Sequence, residues 1–157
     1  MGRKILLDQL TGQARSRAEL SAKLARKRVP PEVAASLLDR FEEVGLVDDA
    51  AFARDWVESR QASRGLARRA LSAELRRKGV DSAVIAEAVD EVSAEDEDAA
   101  ARELVRRKLR SISRYDDATV VRRLTGMLAR KGYPSSVVFR VVREEVAAAD
   151  ELLDPDL

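Results

Sequence analysis

Nearly every side chain that could do chemistry in this chain is a cation or a carboxylate. The 157 residues hold 29 Lys and Arg and 28 Asp and Glu, with no His and no Cys. Without histidine the commonest general base and metal ligand is missing. Without cysteine there is no thiolate nucleophile, no thiolate ligand and no disulfide. Neither a GxGxxG nor a phosphate-loop pattern occurs, so nucleotide binding is not expected. No Ser-Lys or paired-carboxylate arrangement stands out. The chain therefore reads as a non-enzyme, with no catalytic residue, no metal and no cofactor.

The carboxylates have local explanations. Asp48-Asp49 lacks a third ligand and stands where a helix needs an N-terminal cap. The run Glu95-Asp96-Glu97-Asp98 reads the same way, as acids placed favourably on a helix dipole, or as an intramolecular partner for the adjacent basic helix.

The cations are harder to dismiss. Arg106-Arg107-Lys108 with Arg110, and Arg76-Arg77-Lys78, are the densest clusters; Arg68, Arg69, Arg122, Arg123, Arg130 and Lys131 extend them. One reading is solvated helix faces balanced by nearby acids. The other is contact with DNA phosphates or an acidic partner face, since each neutralised phosphate releases counterions. Lys27, Lys78 and Lys131 recur at equivalent positions, which favours the second, although a cation at a helix C-terminus also suits the dipole. These thirteen residues, Arg68 to Lys131, form the candidate partner-binding set.

The elements that must carry them are legible as a repeat. Leu20-Ser-Ala-Lys-Leu24-Ala-Arg-Lys27, Leu71-Ser-Ala-Glu-Leu75-Arg-Arg-Lys78 and Leu124-Thr-Gly-Met-Leu128-Ala-Arg-Lys131 superimpose at offsets of 51 and 53 residues. Each has leucines four apart, a lysine three further on, and then a break. Gly79 and Gly132 sit where a left-handed residue closes a helix, and Arg28 takes that place in the first copy. Ser16 with Glu19 and Ser93 with Asp96 are capping boxes. Pro30-Pro31, Asp81-Ser82 and Pro134-Ser135 start the helix that follows, whose apolar face is read as beginning at Val33, Val84 and Val137 and continuing to Leu38, Val89 and Val142. A helix precedes each pair: Ile5 to Leu10, a run with Phe52, Trp56 and Val57 on one stripe, and a run through Ala100, Leu104 and Leu109. Trp56 is expected to be buried. Tyr115 and Tyr133 are expected at helix junctions with one ring edge wet, and neither has the spacing of a base-stacking platform.

No alternating apolar pattern supports a strand. The expected fold is all-α, three tandem three-helix repeats at 1–44, 48–93 and 95–149 in an elongated, curved array, with an acidic tail at 150–157 expected to be disordered. Charge is segregated although the net is only +1. The stretch 12–31 carries Arg15, Arg17, Lys23, Arg26, Lys27 and Arg28 against Glu19 alone, whereas 81–98 has eight acids and no base. Such a dipolar surface steers charged partners. No run approaches the ~20 apolar residues of a membrane span, and no signal-peptide pattern is present, so a cytoplasmic location is expected.

From Gly45-Leu-Val-Asp-Asp-Ala-Ala-Phe52-Ala-Arg-Asp-Trp56 through Arg64-Gly65-Leu66 to Leu71–Val80, the chain resembles the RecX family of regulatory proteins. Arg15-Ser-Arg-Ala-Glu-Leu20 with Leu24-Ala-Arg-Lys27 looks like that family's first unit, and Leu128-Ala-Arg-Lys-Gly132-Tyr133 like its third. Arg28-Val29 replaces a common Gly-aromatic pair, and Leu66-Ala67 lacks a common proline. The resemblance implies tandem three-helix repeats and a modulator, mainly an inhibitor, of the RecA recombinase. Such a protein engages the RecA–DNA filament, with single- or double-stranded DNA within it, and suppresses ATP hydrolysis, strand exchange and co-protease activity. A monomer is expected. The alternative is a direct DNA-binding helical-repeat protein. Against it, the helices at 32–44 and 82–92 are acidic where base reading needs Arg, Asn or Gln.

Overall fold

A computed structural model of the chain describes residues 1–153. Within them there are nine α-helices and no strand: α1 (Gly2–Gly12), α2 (Arg17–Arg26), α3 (Pro31–Glu43), α4 (Asp49–Arg64), α5 (Arg68–Arg77), α6 (Ser82–Asp90), α7 (Ala94–Ile112), α8 (Asp117–Arg130) and α9 (Ser135–Leu153). Residues 150–153 of the acidic C-terminus continue α9 as helix, where a disordered tail was expected; residues 154–157 lie outside the described part.

Local chemistry sets the helix ends. Ser16 Oγ accepts the Glu19 N–H at 3.2 Å, and the Glu19 carboxylate accepts the Ser16 N–H at 3.1 Å. Ser93 and Asp96 do the same for α7. The Asp48-Asp49 pair caps two helices. Asp48 accepts from the Ala51 N–H of its own helix, and Asp49 accepts the Arg17 N–H at the start of α2. At the opposite ends Gly79 and Gly132 have φ of +77° and +92°, and Arg28 adopts φ +62° in the first copy.

The chain packs as two compact units, residues 1–58 with 72–89, and residues 59–71 with 90–157. In the first, Leu6, Leu20, Leu24, Leu38, Phe41 and Val47 form a core between α1, α2 and α3. Phe52 and Trp56 stack in α4, with ring centroids 5.9 Å apart. Trp56 is half-buried, not buried, and its indole N–H donates to Glu74 at 3.1 Å. In the second unit α9 packs along α7 and α8 around Val105, Ile112, Leu124, Leu128, Val138 and Val141.

The leucines of the repeat are core in every copy: Leu20, Leu24, Leu71, Leu75, Leu124 and Leu128 are all at most 1% exposed. Along the following helix Leu38, Val138 and Val142 are buried as expected and Val89 is half-buried, but the residue that opens the buried face differs from the expected Val33, Val84 and Val137. Ala34, Ile85 and Val138 point inward, whereas Val33 is 49% exposed and Val84 and Val137 are half-buried. In α7, too, Ala101, Val105 and Ile112 hold the deep positions, with Ala100, Leu104 and Leu109 at the margin.

A second recurring contact emerges from packing. Ser16 Oγ donates to the Lys78 carbonyl at 2.7 Å, and the Ala67 N–H donates to the Lys131 carbonyl at 2.9 Å. The residue before each of two helices thus satisfies an orphan carbonyl at the end of the corresponding helix one repeat later. The glycines let the backbones approach: a Cβ on Gly79 would overlap that of Ala18, and one on Gly132 would lie 2.6 Å from the Ala70 nitrogen.

Candidate partner-binding surface

The cations divide into those the fold uses and those it leaves facing solvent. In the first unit Lys78 is used: its ammonium lies 3.1 Å from Glu19 and 5.0 Å from the Trp56 ring centre. Burial raises the Glu19 carboxyl, but the Ser16 N–H and Lys78 outweigh it and hold the group below its ordinary value. Arg76 and Arg77, at the end of α5, are exposed and form no ion pair among the described residues.

In the second unit Arg68 is fixed. Its N–H and Nε both donate to Oε1 of the buried Glu97, at 3.0 and 2.8 Å. Arg106 grips the buried Glu145 through Nε and a terminal nitrogen, at 2.8 and 3.0 Å. Arg102 joins Asp98, Glu144 and Glu145 from α7 to α9, and Arg140 adds a second cation on Asp98. Hydrogen bonds from Arg106 and Arg102 hold Glu145 below its ordinary range, and those from Arg102 and Arg140 do the same for Asp98. The acidic run at the start of α7 thus both caps its helix and partners basic side chains.

Arg123 stacks 4.2 Å from the centre of the Tyr115 ring, whose other cation is Arg114 at 4.9 Å. Arg107 meets Glu103 only at 3.7 Å, with both side chains exposed. Lys131 donates to the Arg64 carbonyl at 2.8 Å. That leaves Arg69, Lys108, Arg110, Arg122 and Arg130 exposed and without an ion pair among the described residues.

Tyr133 is buried, and its hydroxyl donates to the Gly65 carbonyl at 2.7 Å; burial pushes its pKa up to about 12, so it stays a donor. The expected wet edge is therefore absent at Tyr133, while Tyr115 is partly exposed. Arg64 and Arg114 were outside the candidate set. Arg114 follows α7, which carries set members, so its signal is positional; Arg64 ends α4, which carries none, and only packing brings it beside Arg107 and Lys131.

Among the described residues there is no His/Cys/Asp/Glu grouping fit to hold a metal, and no helix long and apolar enough to cross a membrane.

Three stretches match successive RecX domains: residues 3–41 the first three-helix domain, 48–89 the second and 95–142 the third. Regulatory protein RecX of Thermobifida fusca is 53% identical over 146 residues, covering 93% of this chain and 79% of that one. Its counterpart in Streptomyces coelicolor is 50% identical over 149 residues, covering 95% and 79%. The crystal structure of RecX from Lactobacillus salivarius matches 93% of this chain and 95% of its own with a TM-score of 0.84, at 16% identity, which speaks to the fold. Three matched domains in order and half-identical relatives over nearly the full length place the conclusion beyond fold: the chain belongs to the RecX family.

Proposed function

We propose that this protein binds the RecA recombinase filament on DNA and restrains it, lowering ATP hydrolysis, strand exchange and co-protease activity. It acts as a monomer in the cytoplasm, without catalysis of its own. Family membership supplies the direction of the reading. The observation that carries it to particular residues is the set of exposed cations with no ion pair among the described residues: Arg69, Arg76, Arg77, Lys108, Arg110, Arg122 and Arg130. A cation already paired with a buried carboxylate must lose that bond to bind elsewhere, whereas these lose only water. Three helical units, at 1–44, 48–93 and 95–149, present them.

The test is a RecA ATPase assay on single-stranded DNA with this protein added stoichiometrically. Inhibition is expected, and an unchanged rate refutes the reading. Charge reversal at Arg76 and Arg77 (R76E/R77E) should weaken inhibition at least about tenfold at constant salt, since two attractive contacts become repulsive, while helical circular dichroism stays unchanged. Undiminished inhibition removes α5 from the surface. A direct DNA-binding role demands tight, salt-sensitive binding to bare duplex. The acidic α3 and α6, in the place of recognition helices, weigh against it.

A further inference from the structure

A concave site at the end of α4 lies wholly within the second unit. The end of α4, the middle of α7 and the end of α8 enclose a recess of about 180 Å³, lined by Arg64, Gly65, Glu103, Leu104, Arg107 and Lys131 among others. Three of those side chains are cations, and Glu103 is the only carboxylate in the lining. Glu103 neutralises little: it meets Arg107 at 3.7 Å with both groups more than half exposed. Arg64 forms no ion pair among the described residues. The Lys131 ammonium is held below its ordinary range by burial first, and then by Arg64 and Arg107, as expected where positive charge has no counter-charge.

The floor is rigid. Within five residues, the Arg64 carbonyl accepts from Lys131, the Gly65 carbonyl from Tyr133, the Ala67 N–H reaches the Lys131 carbonyl, and the Arg68 N–H reaches Glu97. Gly65, at φ +62°, lies so close to α7 that a Cβ would stand 2.8 Å from Leu104 Cδ1. Helix C-termini attract cations for their own sake, and Lys131 meets that need through one carbonyl. The two guanidinium groups are in excess of it. A fixed concave surface with converging, under-neutralised donors is preorganised for an oxyanion, because it does not have to be ordered when the ligand arrives.

We infer that this recess holds a phosphate group of a single-stranded nucleic-acid backbone, with Arg64 and Arg107 as the charged donors and Lys131 completing the positive wall. Two guanidinium forks and an ammonium suit the oxygens of a phosphate. The openness of the recess toward solvent suits a group that is one link of a chain. The inference rests on the reading that the protein meets a nucleoprotein filament, and it assigns one contact within that encounter.

The test uses the whole chain without recombinase, so its failure leaves the ATPase result standing. Backbone-amide NMR spectra are followed on titration with inorganic phosphate, with chloride at matched ionic strength, and with oligothymidylate with and without a 5′-phosphate. Saturable shifts confined to residues 61–65, 100–107 and 131 are expected with phosphate and with both oligonucleotides. An equal response to the two strands supports an internal phosphodiester, whereas a response only to the 5′-phosphorylated strand places strand ends in the recess and overturns the backbone assignment. Arg107→Ala should abolish the phosphate response and lower the steepness of log K against log salt for oligothymidylate by about 0.7. Glu103→Gln should strengthen phosphate binding several-fold. Chloride reproducing the pattern, an oligonucleotide that shifts other surfaces and spares the recess, or both variants behaving as the parent protein overturns the assignment. So does a recess that responds to polyglutamate and not to phosphate, which makes its ligand a protein carboxylate.

Discussion

Gly132 shows how much one residue type can carry. Its φ of +92° is costly for any side chain, and its missing Cβ leaves room for the Ala70 nitrogen. Relief of strain by a small backbone shift is blocked, because the neighbour is main chain held by the Ala67 to Lys131 hydrogen bond. Gly132→Ala is therefore expected to destabilise the protein by more than about 1 kcal/mol, read as a lowered urea midpoint. Arg28 occupies the same left-handed place in the first copy with φ +62°. Arg28→Gly should raise the midpoint by on the order of 1 kcal/mol, since it removes the Cβ penalty and no ion pair is lost among the described residues. A stable Gly132→Ala protein would show that this turn is not tight. The left-handed conformation was readable from sequence, because a glycine four residues beyond a leucine pair, just after the lysine, marks a helix end. The close approach was not, because it depends on a segment some sixty residues away, as at Gly132 and Ala70.

At the scale of the element, capping, the leucine spacing and the later positions of the following helices, Leu38 and Val142 among them, were legible, and the residue that opens each of those buried faces was not. Ser16 with Glu19 and Ser93 with Asp96 identify helix starts through hydrogen bonds between near neighbours, which local sequence specifies fully. In α6 and α9 two apolar residues are adjacent, Val84-Ile85 and Val137-Val138, and a period of 3.6 does not choose between them. In α3 the smaller residue, Ala34, is the buried one beside the larger, exposed Val33, so side-chain size did not mark the inward position. The consequence is testable by a pair of substitutions. Val33→Asp should leave the unfolding midpoint within about 0.5 kcal/mol of the parent, as surface changes do. Ala34→Asp buries an unpaired carboxylate and should cost at least about 3 kcal/mol. Equal effects of the two would place both residues at the same depth. The candidate cations obeyed the same division. Their position on helices was clear from sequence, but the commitment of Arg68 to Glu97 and of Arg106 to Glu145 required knowing which acids turn inward.

Over the whole molecule, near-neutral charge conceals two populations of ionised groups, and they answer to different variables. Exposed unpaired cations respond to salt and to partners. The carboxylates Glu19, Asp98 and Glu145 are held by the fold itself, and each binds its proton less readily folded than unfolded. The sign follows from proton uptake. Near the ordinary carboxylate values of 3.8 for Asp and 4.5 for Glu the unfolded chain takes up protons that the folded one refuses. Stability must then fall with falling pH. Above that range all three are ionised in both states and their contribution is complete. The urea midpoint should be flat from neutrality down to about pH 5.5 and then decline as these groups protonate. Glu145→Gln tests one part of this in the second unit. It leaves the side-chain volume and one acceptor but removes the charge that Arg102 and Arg106 share. The variant should be less stable at neutral pH by about 1–3 kcal/mol, the worth of hydrogen bonds to a buried charge. It should also lose stability less steeply on acidification, because one depressed carboxylate no longer titrates. A variant that is weakened at pH 7 yet declines in parallel with the parent would mean that Glu145 binds its arginines without carrying the acid sensitivity. The cause would then have to be sought in Asp98, where two arginines meet one carboxylate.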